Sequence, residues 1–259
     1  MPLYSEQQGS NENPTLVFLH GFLGNRKDWQ TTIDQLKDSF HCVTIDLPGH
    51  GRSVATTASI TNGFENCHKL IAFTLEQLNI QAYSLIGYSL GGRIALDYAR
   101  SQNDPRLQHL ILESSHIGLD NETDKTNRYQ FDLAWAERFA TQSVEESLYQ
   151  WYEQAIFDDL NYERKDFIIE QRSHNYGVPL ASMLLSTSLA HQVCASTFLA
   201  ETKLPITYFY GQKDIKFKQL AESIPATDTL NFHCFNGLGH NTHQHAPVNY
   251  ANNIKKIFI

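Results

Sequence analysis

Residues 85–93 read "LIGYSLGGR" and set one serine, Ser89, among three glycines. The lead-in "AYSLIGY" is apolar and aromatic over a length that suits a buried strand. After the serine, Leu90, Ile94, Ala95, Tyr98 and Ala99 recur at helical spacing. Ser89 therefore falls at a strand-to-helix junction. So sharp a turn needs Gly87 and Gly91, where side chains would collide with crossing backbone, and it lifts the hydroxyl to the helix N-terminus.

The same rhythm extends on both sides. "TLVFLHG" (15–21) reads as a buried strand, and "RKDWQTTIDQLKDSF" (26–40) as a helix on the spacing of Trp29, Ile33 and Leu36. "HCVTIDLPGHGRS" (41–53) reads as a strand running into a glycine-rich loop. Phe64 to Leu78 reads as a helix, and "RLQHLILES" (106–114) as another buried strand. Strands and helices in alternation imply a parallel sheet covered on both faces. The rhythm breaks after Glu113. "YQFDLAWAERFA", "VEESLYQWYEQAI", "RKDFIIEQRS" and "PLASMLLSTSLA" read as helices, with no strand between His116 and about Lys203. It resumes with the strand "PITYFYG", a helix near "FKQLAES", the strand "TLNFHCF" and a last helix from about Val248. The expected architecture is an α/β core from residues 1–115 and 204–259 with a helical cap, 116–203, inserted into one mostly parallel sheet. The stretch before Thr15 leaves room for little of an opening hairpin.

Composition narrows the classes. A chain of 259 residues, 41% hydrophobic and 19% charged, can bury a substantial core, which sets aside disorder. The chain holds no apolar run of membrane-spanning length. "MPLYSEQQGSNENP" also lacks the basic-then-apolar pattern of a secretory signal, so a cytoplasmic protein with no membrane partner is expected. A net charge of −8 argues against nucleic acid as a partner and requires any anionic ligand to be met by a local basic pocket. Cys42, Cys67, Cys194 and Cys234 are scattered without a C-x-x-C pair, as free thiols would be. A zinc site from His233, His240, His243 and His245 fits by residue type but lacks a ligand spacing. His243 and His245 are expected at the surface, entering the last helix.

"FLHGF", "DLPGHGRS", "GYSLGGR", "GQKD" and "GLGHN", in this order, resemble the α/β-hydrolase superfamily over nearly the whole chain. The stretches "WYEQAIF", "QRSHNYG" and "GHNTHQHAP" are similar to one family within it, the pyruvate-eliminating synthases of menaquinone biosynthesis. In this fold the catalytic order is serine, acid, histidine, which points to Ser89, Asp214 and His240. An imidazole must take the serine proton, and a carboxylate must hold that imidazole. Asp214 could also be a plain helix N-cap, and Glu113, at the end of a strand, is a competing acid. The backbone N–H groups of Phe22 and Leu90 are expected to form the oxyanion hole.

Arg93, one turn beyond Ser89, is expected near the floor of the site. The resemblance places Arg128 and Arg172 of the cap over the serine, with Tyr88, Trp151, Tyr152 and Phe157 as walls. It implies a small polycarboxylate substrate, no cofactor or metal, and a lyase in which the triad is a general base. A monomer is expected. A serine carboxylesterase and a carbon–carbon bond hydrolase use the same triad and remain open at this point. So does a non-catalytic ligand receptor, which an intact triad disfavours.

Overall fold

The computed structural model describes residues 1–57 and 61–259. Seven strands form one sheet in the order β1-β3-β2-β4-β5-β6-β7. They are β1 (Ser5–Gln8), β2 (Thr15–Leu19), β3 (His41–Ile45), β4 (Tyr83–Tyr88), β5 (Leu107–Glu113), β6 (Ile206–Gly211) and β7 (Leu230–Phe235). All neighbours run parallel except β1, which pairs antiparallel with β3. The opening stretch thus contributes one four-residue edge strand, held by its ladder to β3 rather than by any hydrophobic pattern of its own.

Strand alternation divides the core between the two faces. Val17, Leu19 and Leu85 join one apolar cluster with Ile71 of α2 (Gly63–Gln77) and Ile94 of α3 (Leu90–Gln102). Phe18 and Ile86, one residue out of step, join the other with Ile33 of α1 (Gln30–Leu36) and Tyr250 of the C-terminal helix, Pro247–Phe258. A period of two along each strand sends neighbouring side chains to opposite faces, so both faces need a helical cover.

Between β5 and β6 lie α4 (Glu122–Thr141), α5 (Val144–Trp151), α6 (Tyr162–Arg172), α7 (Gly177–Ser186) and the short α8 (Ser196–Glu201). Trp135, Phe139, Leu148, Ile169 and Leu180 give these helices a core of their own, which also takes in Leu23 and touches Phe22 from the loop after β2. The helix read from "PLASMLLSTSLA" stops at Ser186, and "YEQAI" leaves the helix at Trp151. The remaining helices are α9 (Ile215–Ser223), α10 (Thr242–His245) and α11 (Pro247–Phe258). Among the described residues no helix is long and apolar enough to cross a membrane.

Candidate active site

Strand β4 ends at Tyr88 and α3 begins at Leu90, so Ser89 alone makes the turn, with φ 50° and ψ −109°. A non-glycine residue held there is strained, and the surroundings must enforce the conformation. The glycines explain how. A Cβ on Gly87 would lie 2.5 Å from the Gly91 carbonyl oxygen, and one on Gly91 would run into the carbonyl oxygens of Leu19 and His20. Backbone occupies the space of both side chains.

His240 and Asp214 meet Ser89 across the ends of the strands. His240 Nδ1 lies 2.7 Å from Asp214 Oδ2, and His240 Nε2 lies 3.3 Å from Ser89 Oγ. Because a carboxylate only accepts, Nδ1 carries the proton and Nε2 is left to accept from the serine hydroxyl. Asp214 does occupy the N-cap position of α9, yet its side chain makes no capping hydrogen bond. Its carboxylate is turned to the imidazole instead. Asp214 and His240 are both buried, which protects the pair from water.

Glu113, the competing acid, serves a different histidine. Its Oε1 accepts from the Thr242 N–H at 2.7 Å, the Thr242 hydroxyl at 2.7 Å and the His243 N–H at 3.1 Å, while His243 Nδ1 donates to Oε2 at 2.8 Å. Burial alone would raise the pKa of this carboxyl, but His243 and these hydrogen bonds bring it below the usual value. Glu113 thereby ties down the segment that carries His240. His243 is not at the surface as its sequence position suggests. It is buried, with its ring stacked on Trp29 at 3.8 Å between centroids. The expectation failed because the residue entering α10 turns inward to reach a carboxylate 130 positions earlier. His245 is partly exposed beside Asp159, and His233 packs on Phe209 and Phe235. The four histidines thus face different partners, and the described residues hold no cluster that could bind a metal ion.

Two buried histidines brace the loop with Phe22. His20 lies 2.8 Å from the Gly21 carbonyl through Nδ1 and accepts from the Leu47 N–H at 3.0 Å through Nε2. His50 lies 2.9 Å from the Pro48 carbonyl and accepts from the Leu23 N–H at 3.1 Å. A ring nitrogen that accepts must be unprotonated. Burial lowers both pKa values, that of His50 to about 3, and keeps the rings neutral. The motifs "FLHGF" and "DLPGHGRS" are therefore stitched together, an arrangement that their spacing did not reveal. Phe22 and Leu90 both line the cavity in front of Ser89. Leu90 opens α3, where a backbone N–H has no acceptor within the helix.

That cavity has a volume of about 300 Å³ and runs from Ser89 and His240 to the helices of the insertion. Trp151, Phe157 and Phe131 supply apolar wall, and Arg93, Arg128 and Lys216 supply charge. Arg93 is buried and donates to the Thr187 carbonyl at 2.8 Å, and burial lowers its pKa to about 9. Arg128 pairs with the buried Asp132 at 2.9 Å. His116, on the same wall, is lowered to about 3 by burial and then by Lys216, Arg93 and Arg128. Three cations acting on one histidine mark a region of positive potential inside a net-negative protein.

Arg172 is placed differently from the expectation. It donates to the Tyr152 hydroxyl at 2.6 Å and pairs with Asp28 at 3.2 Å. With Tyr88 and Tyr152 it lines a second cavity of only about 20 Å³, joined to the first by Phe157 and His240. Asp28, far away in sequence, pairs with the guanidinium beside this second cavity. Lys216, by contrast, was missed. Its only sequence signal is a position two residues beyond Asp214.

A parallel sheet, a strained serine at the β4–α3 elbow and an acid and a histidine on later strand-end loops define a class. Residues 14–234 match the alpha/beta hydrolase fold family, and the chain belongs to that family. Within it, a protein from Yersinia pseudotuberculosis serotype O:1b is 39% identical over 238 residues, covering 92% of this chain and 85% of its own. That relative is named 2-succinyl-6-hydroxy-2,4-cyclohexadiene-1-carboxylate synthase. A protein of the same name from Yersinia pestis bv. Antiqua is 38% identical over the same shares. The solved structure of MenH from S. aureus superposes with a TM-score of 0.88 at 27% identity, covering 98% of this chain and 97% of its own. A thermophilic esterase from Thermogutta terrifontis, at 22% identity and a TM-score of 0.81, covers 98% of this chain and 92% of its own and shares the fold.

Proposed function

We propose that this chain is a lyase that makes 2-succinyl-6-hydroxy-2,4-cyclohexadiene-1-carboxylate by eliminating pyruvate from an enolpyruvyl cyclohexene precursor in menaquinone biosynthesis. The relatives of that name support the substrate, and the site supports the chemistry. The observation that carries the reading is one cavity holding Ser89 and His240 together with Arg93 and Arg128. A triad alone serves many acyl-transfer reactions, but guanidinium groups match a polycarboxylate.

Ser89 Oγ removes the proton beside the succinyl ketone while its own proton passes to His240 Nε2, and Asp214 stabilises the imidazolium. The Phe22 and Leu90 N–H groups stabilise the enolate oxygen. Electrons move through the ring double bond, the carbon–oxygen bond to the enolpyruvyl group breaks, and the departing enolate takes the proton from His240 and becomes pyruvate. Arg93 and Arg128 bind substrate carboxylates, and Trp151 and Phe157 exclude water. The proposed reaction calls for neither metal nor organic cofactor, and the reading takes the chain as a cytoplasmic enzyme.

A pyruvate-release assay on the enolpyruvyl substrate tests the reading. One pyruvate per substrate consumed is expected, with no substrate adduct on Ser89 by intact mass. Brisk hydrolysis of a simple aryl ester without pyruvate release, or a covalent acyl-serine, would overturn it.

A further inference from the structure

Lys216 is badly placed for a structural lysine. It lies in the first turn of α9, where the helix dipole disfavours a cation. Among the described residues its side chain forms no salt bridge, although Asp214 and Asp132 lie near enough to favour its charge, whereas Arg128 pairs with Asp132 and Arg172 with Asp28. The residue is exposed and lines the cavity. Protein still crowds its ammonium, and burial followed by the charge of Arg128 lowers the Lys216 pKa. A flexible cation near two guanidinium groups and without a salt-bridge partner of its own gains stability when an anion enters.

A second observation comes from the same cavity. Ser114, which follows β5, has φ 45°, is wholly buried and lines the cavity, and its hydroxyl has no hydrogen-bond partner. Buried hydroxyls are seldom left unpaired, and this one keeps a hydrogen bond unspent at a residue that lines the cavity. Ser115 beside it shows the contrast, since its hydroxyl donates to the Glu113 carbonyl at 3.1 Å.

We propose that Lys216, with the Ser114 hydroxyl, forms a carboxylate subsite on the wall built from the end of β5 and the start of α9, separate from the carboxylate contacts of Arg93 and Arg128. The assignment rests on the polycarboxylate reading of the cavity and adds a charged group to its specificity. A substrate with several carboxylates would engage this wall as well as the arginines, whereas a monocarboxylate can satisfy only one of the two.

The test is binding, which requires no turnover. Citrate and acetate serve as tricarboxylate and monocarboxylate probes, titrated by calorimetry into the wild type and into Lys216→Met, Lys216→Arg and Ser114→Ala. Lys216→Met is expected to weaken citrate by at least about tenfold and acetate by much less, Lys216→Arg to stay within about threefold of wild type, and Ser114→Ala to weaken citrate by a few fold. On the enolpyruvyl substrate, Lys216→Met should raise KM more than it lowers kcat. Unchanged citrate affinity in a folded Lys216→Met protein overturns the subsite, and so does a wild-type protein that binds no citrate. Absence of pyruvate release by the wild type would instead sink the proposed reaction, so the two failures can be told apart.

Discussion

The strand-end loops and the inserted helices meet at one cavity but solve opposite problems. The loops hold Ser89, Asp214, His240 and the Phe22 turn in place with buried hydrogen bonds: Glu113 on the His240 segment, and His20 and His50 on the Phe22 loop. Across the cavity, the helices and the start of α9 present charges that are incompletely paired. Proton transfer tolerates little misplacement, so its groups are fixed by neighbours that are themselves fixed. Anion binding needs charge that is still available when the ligand arrives. The lesson is that carboxylate and imidazole groups tied to the backbone of the loops mark the apparatus that positions, whereas cations short of partners mark the surface that binds.

The sharpest way to break this comparison is to remove the proton relay. Ser89→Ala and His240→Ala are each expected to lower kcat for pyruvate release by at least about a hundredfold, the scale of a lost general base. The double variant should lose little more than either single variant, because the residues act as one unit. Losses that multiply would mean that the two side chains work separately.

Glu113→Gln probes positioning without touching the reacting atoms. Removing one partner of a buried charged contact costs on the order of 3–5 kcal/mol, so a marked fall in Tm is expected, together with a lower kcat from a loosened His240 segment. The pH dependence has a definite sign. A carboxyl whose folded pKa is depressed contributes its stability fully above the unfolded value, about 4.3, and loses it as pH falls through the lower folded value. Glu113 is depressed. Wild-type Tm should therefore drop on acidification below about pH 4, and Glu113→Gln should show a shallower drop. Parallel acid profiles would assign the acid sensitivity to other carboxylates.

The binding side should respond less, and in KM. Arg93→Ala and Arg128→Ala are each expected to reduce kcat/KM by about tenfold, or roughly 1.4 kcal/mol. Lysine replacements should recover only part, because a point charge cannot reproduce a bidentate fork. Arg172→Ala sharpens the comparison, since its guanidinium is held by Tyr152 and Asp28. It should lower Tm more than it raises KM. A tenfold rise in KM with an unchanged Tm would return Arg172 to the binding surface.

Much of this was legible in the chain because local patterns report local geometry. Glycines at 87 and 91 foretold the elbow, since a sharp turn against crossing backbone admits no Cβ there. Continuous apolar runs in "TLVFLHG" and "AYSLIGY" foretold strands covered on both faces. The order of Ser89, Asp214 and His240 along the sequence foretold which three side chains would meet. Edge strand β1 was not legible, because "SEQQ" owes its conformation to the ladder with β3. Nor was the allocation of polar partners. Sequence could not say that Glu113 would take His243 and leave Asp214 to His240, that Asp28 would pair with Arg172, or that Lys216 would line the cavity without a salt bridge. Each pairing joins residues on different elements, and its strength depends on distance and burial. Periodicity and motif order determine which elements form. Only their packing determines which charges meet and which are left open to a ligand.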